Sequence, residues 1–266
     1  MDLELAGKRA IVTGASLGIG KAVSASLAAE GVGVVLAART RADLDRAVED
    51  VQATSPRATL VPVVTDTGSD DSVRELVARA TEALGGVDIL VNAAAKAGGQ
   101  ERPPSLSEVT DDLFWSDVNV KVLGYLRCAR EVAPLMTAQH WGRIINVSGL
   151  AARRTGTMIG SMRNVAVVAL SKNLADDLGP KGVNVNVVHP GFTLTEKSRA
   201  FLDRRAAERG VDREVVEAEL SKGSSIGRLV DAAEVASVVT FLASPKSVAV
   251  NGEVVCCTTA PGPIYY

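Results

Sequence analysis

An α/β doubly wound parallel sheet of about seven strands, with helices on both faces, is the fold class this sequence predicts. Three observations carry it. Short apolar runs alternate with helix-period stretches along the chain, no Pro/Ser-rich linker divides the 266 residues, and a glycine cluster sits between the first apolar run and the first helix. One domain, 1–266, with a single sizeable core is therefore expected.

The first run, Arg9-Ala10-Ile11-Val12, feeds Thr13-Gly14-Ala15-Ser16-Leu17-Gly18-Ile19-Gly20, and an alanine-rich helical pattern continues to about Glu30. Strand, glycine turn and helix is the order a nucleotide pocket needs. Gly14 can take a tight turn at positive φ, Gly18 lets the backbone approach a pyrophosphate, and Gly20 lets the helix pack closely on the strand. The N–H groups at the helix start then face the anion. Val32 to Ala38 is apolar throughout, as a strand buried on both faces reads, and it ends at Arg39. At this strand end an acidic residue would bond the 2′-hydroxyl of NAD, whereas an arginine can pair with the 2′-phosphate of NADP. Ala37 and Ala38 are not acidic, so Arg39 predicts NADP(H) over NAD(H); a solvated helix-start arginine is the competing reading.

The remaining elements follow in order. Residues 41–53 read as a helix and 59–64 as a third strand, ending at Thr65-Asp66. Residues 69–84 read as a helix whose Ser-Asp-Asp start places carboxylates on the positive end of its dipole. Val87 to Val91 forms the fourth strand and leads to Asn92; a Gly/Pro loop covers 98–105 and a helical pattern 110–138, with Pro134 as a late interruption. The fifth strand falls within 142–149, the next helix spans about 157–178 and the sixth strand 183–188. A polar helix-patterned segment, 196–222, precedes the last helix, 231–243, and the last strand, 251–255.

Bulk composition excludes several classes. With 29 basic and 31 acidic residues and no long like-charged block, binding to nucleic acid or to a membrane surface by bulk electrostatics is not expected. The start is not a signal peptide and no apolar stretch spans a bilayer, which predicts a cytoplasmic protein with a small-molecule partner. Cys128, Cys256 and Cys257 make no disulfide framework and read as buried free thiols. His140 and His189 lack metal-ligand spacing with them, so no metal site is predicted.

Thr-Gly-x-x-x-Gly-Ile-Gly near the N-terminus resembles the cofactor motif of the short-chain dehydrogenase/reductase family, and later stretches extend the resemblance over nearly the whole chain. The resemblance implies a Rossmann-like dinucleotide-binding domain with a variable substrate lid at about 195–226, acting as a homo-dimer or homo-tetramer. It implies cofactor contacts from Thr13, Gly14, Ser16, Gly18, Ile19, Gly20, Arg39, Asp66, Asn92, Pro190, Gly191, Thr193 and Thr195, with Asp66 reading equally as a strand-end cap. Leu17 stands where NADP-using relatives often carry a basic residue, and Ala93 and Ala95 depart from Asn-Asn-Ala-Gly beside the nicotinamide ribose.

The family's catalytic asparagine, serine, tyrosine and lysine map by ungapped register onto Lys121, Gly149, Gly160 and Asn164. Asn119 is the tempting asparagine, but the register favours Lys121. A lysine and an asparagine are thus exchanged between helices, and both hydroxyls are missing. Lys121 and Ser148 are the catalytic candidates; Ser148 precedes the serine position, although strand alternation turns neighbouring side chains to opposite faces. Arg153, Arg154, Arg163 and Ser161 are further polar candidates, and Lys172 lies too far along the helix to replace Asn164. The tail from Cys256 to Tyr266 departs from the family ending, and Tyr265-Tyr266 could reach a neighbouring subunit's pocket. The implied function is an NADP(H) oxidoreductase acting on a small carbonyl or alcohol with an altered proton donor. The alternatives are a non-redox enzyme (lyase, isomerase or hydrolase) on the same fold, or a non-catalytic NADP(H)-binding protein.

Overall fold

Strand β1 (Arg9–Thr13) turns through the glycine cluster into helix α1 (Gly18–Ala29), and β2 (Gly33–Ala38) returns parallel to it, pairing Ile11 with Val35 and Thr13 with Ala37. The computed structural model describes residues 1–95 and 102–258; Tyr265, Tyr266 and part of the expected 98–105 loop lie outside the described residues. Helix α2 (Arg41–Thr54), β3 (Leu60–Val64), α3 (Asp70–Leu84) and β4 (Ile89–Asn92) complete the first half. The second half continues through α4 (Asp111–Val118), a π-helical turn (Asn119–Leu123), α5 (Gly124–Ala138), β5 (Gly142–Val147), α6 (Met158–Leu178) and β6 (Val183–Pro190). Short strands β7 (Thr193–Leu194) and β8 (Val230–Asp231) pair with each other and bracket helices α7 (Glu196–Arg209) and α8 (Arg213–Ser221). Helix α9 (Ala232–Ala243) and β9 (Val254–Cys257) close the chain.

The seven main strands run parallel in the order β3-β2-β1-β4-β5-β6-β9. The order reverses at β1 and β4, so the crevice of a doubly wound sheet opens at their C-terminal ends, where Gly14 and Ala93 meet. Strand alternation divides the core into two layers. Val12, Leu36, Val91 and Ile145 pack with Val23, Leu27 and Val239 of α1 and α9. Ile11, Val35, Leu90 and Ile144 face the other way, onto Leu76 of α3 and Val132 and Met136 of α5. This is a single-domain Rossmann-like sheet, as the apolar runs predicted.

Three details differ from the sequence reading. The helix expected over 110–138 is interrupted at the π-helical turn rather than at Pro134, which sits inside α5. The 196–222 segment forms two helices with their own small core, Leu202, Ala206, Val216 and Leu229. Cys128 and Cys257 are buried, and burial pushes their thiols up to about 12 and about 11, but Cys256 is only half-buried because β9 is the edge strand. Among the described residues no helix is long and apolar enough to cross a membrane.

The glycine turn is sterically tight. Gly14 has φ +67°, and a Cβ there would come within 2.8 Å of the Ala93 carbonyl oxygen; a Cβ on Gly20 would collide with the Gly14 carbonyl oxygen. Gly20→Ala is expected to cost about 3 kcal/mol or more, read as a lowered urea midpoint, because the obstructing atom is backbone and cannot rotate away. Gly85→Ala, at a helix end with φ +81° and open space around it, should cost only about 1 kcal/mol.

Candidate functional site

The crevice has a phosphate-type floor. Leu17 opens α1 without a side-chain cap of its own, so the amides of the helix start are not satisfied by the preceding residue. Gly18 has φ +57° and a Cβ there would lie 3.2 Å from the Thr195 methyl, so this close approach also needs glycine. In the structure the Gly18 N–H donates to the Glu196 carboxylate at 2.9 Å, and the same carboxylate lies 2.6 Å from Lys21 Nζ. An anion is therefore already accommodated at the helix start, supplied by the chain itself.

The other predicted cofactor residues fall around this floor with different duties. Thr13 Oγ1 accepts from the Ala93 and Ala94 N–H groups at 3.1 and 3.3 Å, so it ties β1 to the end of β4. Ser16 in the turn and Ile19 in the first turn of α1 are half-buried. Arg39 is exposed at the end of β2 and bonds to no described residue, whereas Arg41 pairs with Asp45. Asp66 Oδ1 accepts from the Gly68 N–H at 2.9 Å, so one carboxylate oxygen closes a local turn. Buried Asn92 donates to Asn146 at 2.9 Å and leaves its Oδ1 without a described partner. Thr193 donates to the Gly191 carbonyl at 3.0 Å, Pro190 ends β6, and Thr195 caps α7 by accepting from the Ser198 N–H at 3.2 Å. Glycines that admit no Cβ, uncapped helix amides, an unengaged arginine at the ribose end and an orphaned buried acceptor together fit a phosphorylated dinucleotide.

The second half of the site gathers at the end of β5. The π-helical turn carries Lys121 inward, and its Nζ donates to the Ser148 carbonyl at 2.9 Å. Burial, then the field of the Arg163 guanidinium, brings the Lys121 ammonium down to about 7. Ser148 donates to Asn164, at 3.0 Å to the backbone carbonyl and 3.3 Å to the side chain, so the end of β5 is tied to α6. Gly149 leaves room there, since a Cβ would meet Asn164 Nδ2 at 3.3 Å. Gly160 lies against its own helix cap: a Cβ would come within 2.6 Å of the Thr157 methyl. Asn119 donates to the Gly68 carbonyl at 3.3 Å.

Two residues were missed by sequence reasoning. His189 is buried, and its Nδ1 accepts from the Gly149 N–H at 3.2 Å, which fixes its proton on Nε2. Burial, with Arg153 and Lys121 nearby, lowers its pKa to about 4, so it is neutral at physiological pH. Tyr125 lies one helical turn beyond Lys121 and donates to the Val147 carbonyl at 3.0 Å. Burial raises its pKa well above the usual phenol value. The Lys-x-x-x-Tyr spacing was the available signal, the reverse of the family's Tyr-x-x-x-Lys on the neighbouring helix. Of the rim candidates, Arg163 is buried and paired with Asp117, Arg154 is exposed with its carbonyl accepting from Ser161, and Lys172 is exposed and paired with Asp176.

Lys121 carries a pH signature. Its folded pKa, about 7, lies below the unfolded value of about 10.4, so between those values the unfolded chain binds the extra proton and stability rises with pH. Urea midpoints measured from pH 6 to pH 10 should show Lys121→Met gaining most over wild type below pH 7. That advantage should shrink as pH rises toward 10.

Comparison with known proteins agrees with this geometry. Residues 14–258 match the family model described as enoyl-(acyl carrier protein) reductase. The short-chain reductase protein NovJ of Streptomyces niveus is 36% identical over 247 residues, covering 92% of this chain and 90% of its own. Dehydrogenase/reductase SDR family member 4 of Oryctolagus cuniculus is 33% identical over 254 residues, covering 94% and 92%. The crystal structure of L-sorbose reductase from Gluconobacter frateurii, complexed with NADPH and L-sorbose, superposes with a TM-score of 0.90 at 26% identity over 98% of each chain. The sheet order, the glycine crevice and these full-length matches place the chain in the short-chain dehydrogenase/reductase family.

Proposed function

We propose that this chain is a cytoplasmic NADP(H)-dependent reductase of a small carbonyl compound, in which Lys121 replaces the family's tyrosine as the source of the proton. The observation that carries the proposal is Lys121 Nζ at the end of β5, with a pKa of about 7 and within 2.9 Å of the Ser148 carbonyl. NADPH-linked relatives and neighbours, including the L-sorbose reductase structure, support the choice of cofactor. Arg39 would take the 2′-phosphate, the glycine turn the diphosphate, and Thr195, Pro190 and Gly191 the far side of the crevice.

The bound cofactor supplies a hydride; the chain's own residues handle the proton. Lys121 holds it on Nζ and can release and regain it near neutral pH. The Ser148 carbonyl and the Ser148–Asn164 bonds keep that amine against β5. The residues at the family's catalytic positions, Lys121, Gly149, Gly160 and Asn164, then describe a degenerate site whose proton donor has moved between helices. Helices α7 and α8, within 195–226, would be the substrate lid. Leu113, Trp115, Met162 and Val165, all exposed on α4 and α6, support a homo-dimer or homo-tetramer joined through these helices.

One observation favours the non-catalytic alternative. Lys121, Tyr125 and Ser148 all donate to backbone carbonyls within the chain, so each hydroxyl or amine at the end of β5 already has a protein acceptor. Fluorescence titration of NADPH and NADH, followed by absorbance assays with a panel of ketones and quinones, separates the readings. Turnover with a pH-rate inflection near 7 that disappears in Lys121→Met supports the reductase; tight NADPH binding with no oxidation by any carbonyl supports the binding protein.

Two further outcomes are expected. Arg39→Asp should weaken NADPH at least tenfold while leaving NADH within about twofold, since loss of one charge-assisted pair is worth about 1.5–3 kcal/mol. Equal affinities before and after would remove the cofactor assignment. Introducing Gly160→Tyr and Asn164→Lys should raise carbonyl reduction by roughly 10²–10⁴-fold, but only with Thr157→Ser, because the Thr157 methyl blocks a side chain at 160.

A further inference from the structure

The N-terminal edge of the sheet holds a second cleft, on the side away from the crevice and lined by none of the proposed cofactor or catalytic residues. Its volume is about 430 Å³, and Trp141, Arg143, Asn184, Val248 and Asn251 are among the residues that line it; none of its lining residues is acidic. Arg143, near the start of β5, is 2% exposed, the largest fully buried side chain among the described residues. Its Nε donates to the Ser244 carbonyl at 3.3 Å and its Nη1 to the Gly142 carbonyl at 2.8 Å, and its Cζ lies 4.6 Å from the centre of the Trp141 ring. Lys8 Nζ approaches the same ring at 4.1 Å.

No described carboxylate pairs with this guanidinium. Asp88, whose backbone carbonyl accepts from the Arg143 N–H, has its carboxylate held by Arg9 at 2.7 Å. Arg143 Nη2 bonds to no described residue, and Arg143 is among the residues that line the cleft. Burial lowers its pKa to about 10, which leaves it charged at neutral pH. A buried cation without a counter-ion is costly unless something supplies the charge, and a planar guanidinium is suited to two oxygens of one anion. Five N–H donors, two of them bonded to carbonyls, leave enough for such a grip.

We propose that this cleft is a binding site for a small oxyanion, a phosphate or carboxylate group, seated on Arg143 beside Trp141. The volume exceeds that of a bare phosphate and falls in the range of small-molecule pockets. The remainder of an organic acid or phosphate ester would lie against Trp141 and Val248. The inference is independent of the cofactor reading, because no residue of the glycine crevice takes part.

The probes are inorganic phosphate and malonate, titrated at constant ionic strength against chloride. Trp141 fluorescence is followed in a Trp115→Phe background, since the chain has two tryptophans, and thermal midpoints are recorded in parallel. Saturable quenching and a raised midpoint, both at least tenfold weaker in Arg143→Gln, are expected; stronger binding of phosphate or of malonate identifies which group the site prefers. Val248→Glu, at an exposed position on the rim, tethers a carboxylate in the cleft without disturbing the core and should also suppress the response at least tenfold. A response matched by chloride, or retained in Val248→Glu, would overturn the proposal even if Arg143→Gln failed to fold.

Discussion

Backbone touches backbone where Gly20 of α1 passes the Gly14 carbonyl, and everything on the C-terminal side of the sheet is placed by that contact. It sets how closely α1 lies on β1, and so where the helix's uncapped amides point. The same turn presses Gly14 against Ala93, fixing the end of β4 relative to the end of β1. Side chains larger than hydrogen would wedge both joints open. The crevice is thus a property of packed main chain.

Much of this was legible in the sequence because it is carried by local rules. A run such as Val32 to Ala38 has no polar face, which only a doubly covered parallel strand tolerates, and β2 is buried accordingly. Ser69 before two aspartates marks a helix start, and its hydroxyl does accept from the Ser72 N–H. The π-helical turn was not legible, because an extra residue in a helical turn leaves the apolar period almost unchanged; it depends on Lys121 reaching a carbonyl on another element. Tertiary partners are likewise what hid His189, whose duty is defined by an amide forty residues away in sequence.

The end of β5 shows how burial and geometry act together. Lys121 and Tyr125, one helical turn apart, donate to the carbonyls of Ser148 and Val147 at the end of β5. Low dielectric then moves the two groups apart in acidity: the ammonium loses its proton more readily and the phenol less so. A pair that would titrate almost together in water is separated here, with the amine rather than the phenol near neutrality.

Glu196 begins helix α7 and also grips the amide of Gly18, so one carboxylate belongs to two structures at once. An incoming diphosphate that claims that amide must evict it, together with its hold on Lys21. Occupancy of that amide by a diphosphate and occupancy by the Glu196 carboxylate are therefore mutually exclusive, and each opposes the other by the same free energy whichever is altered first.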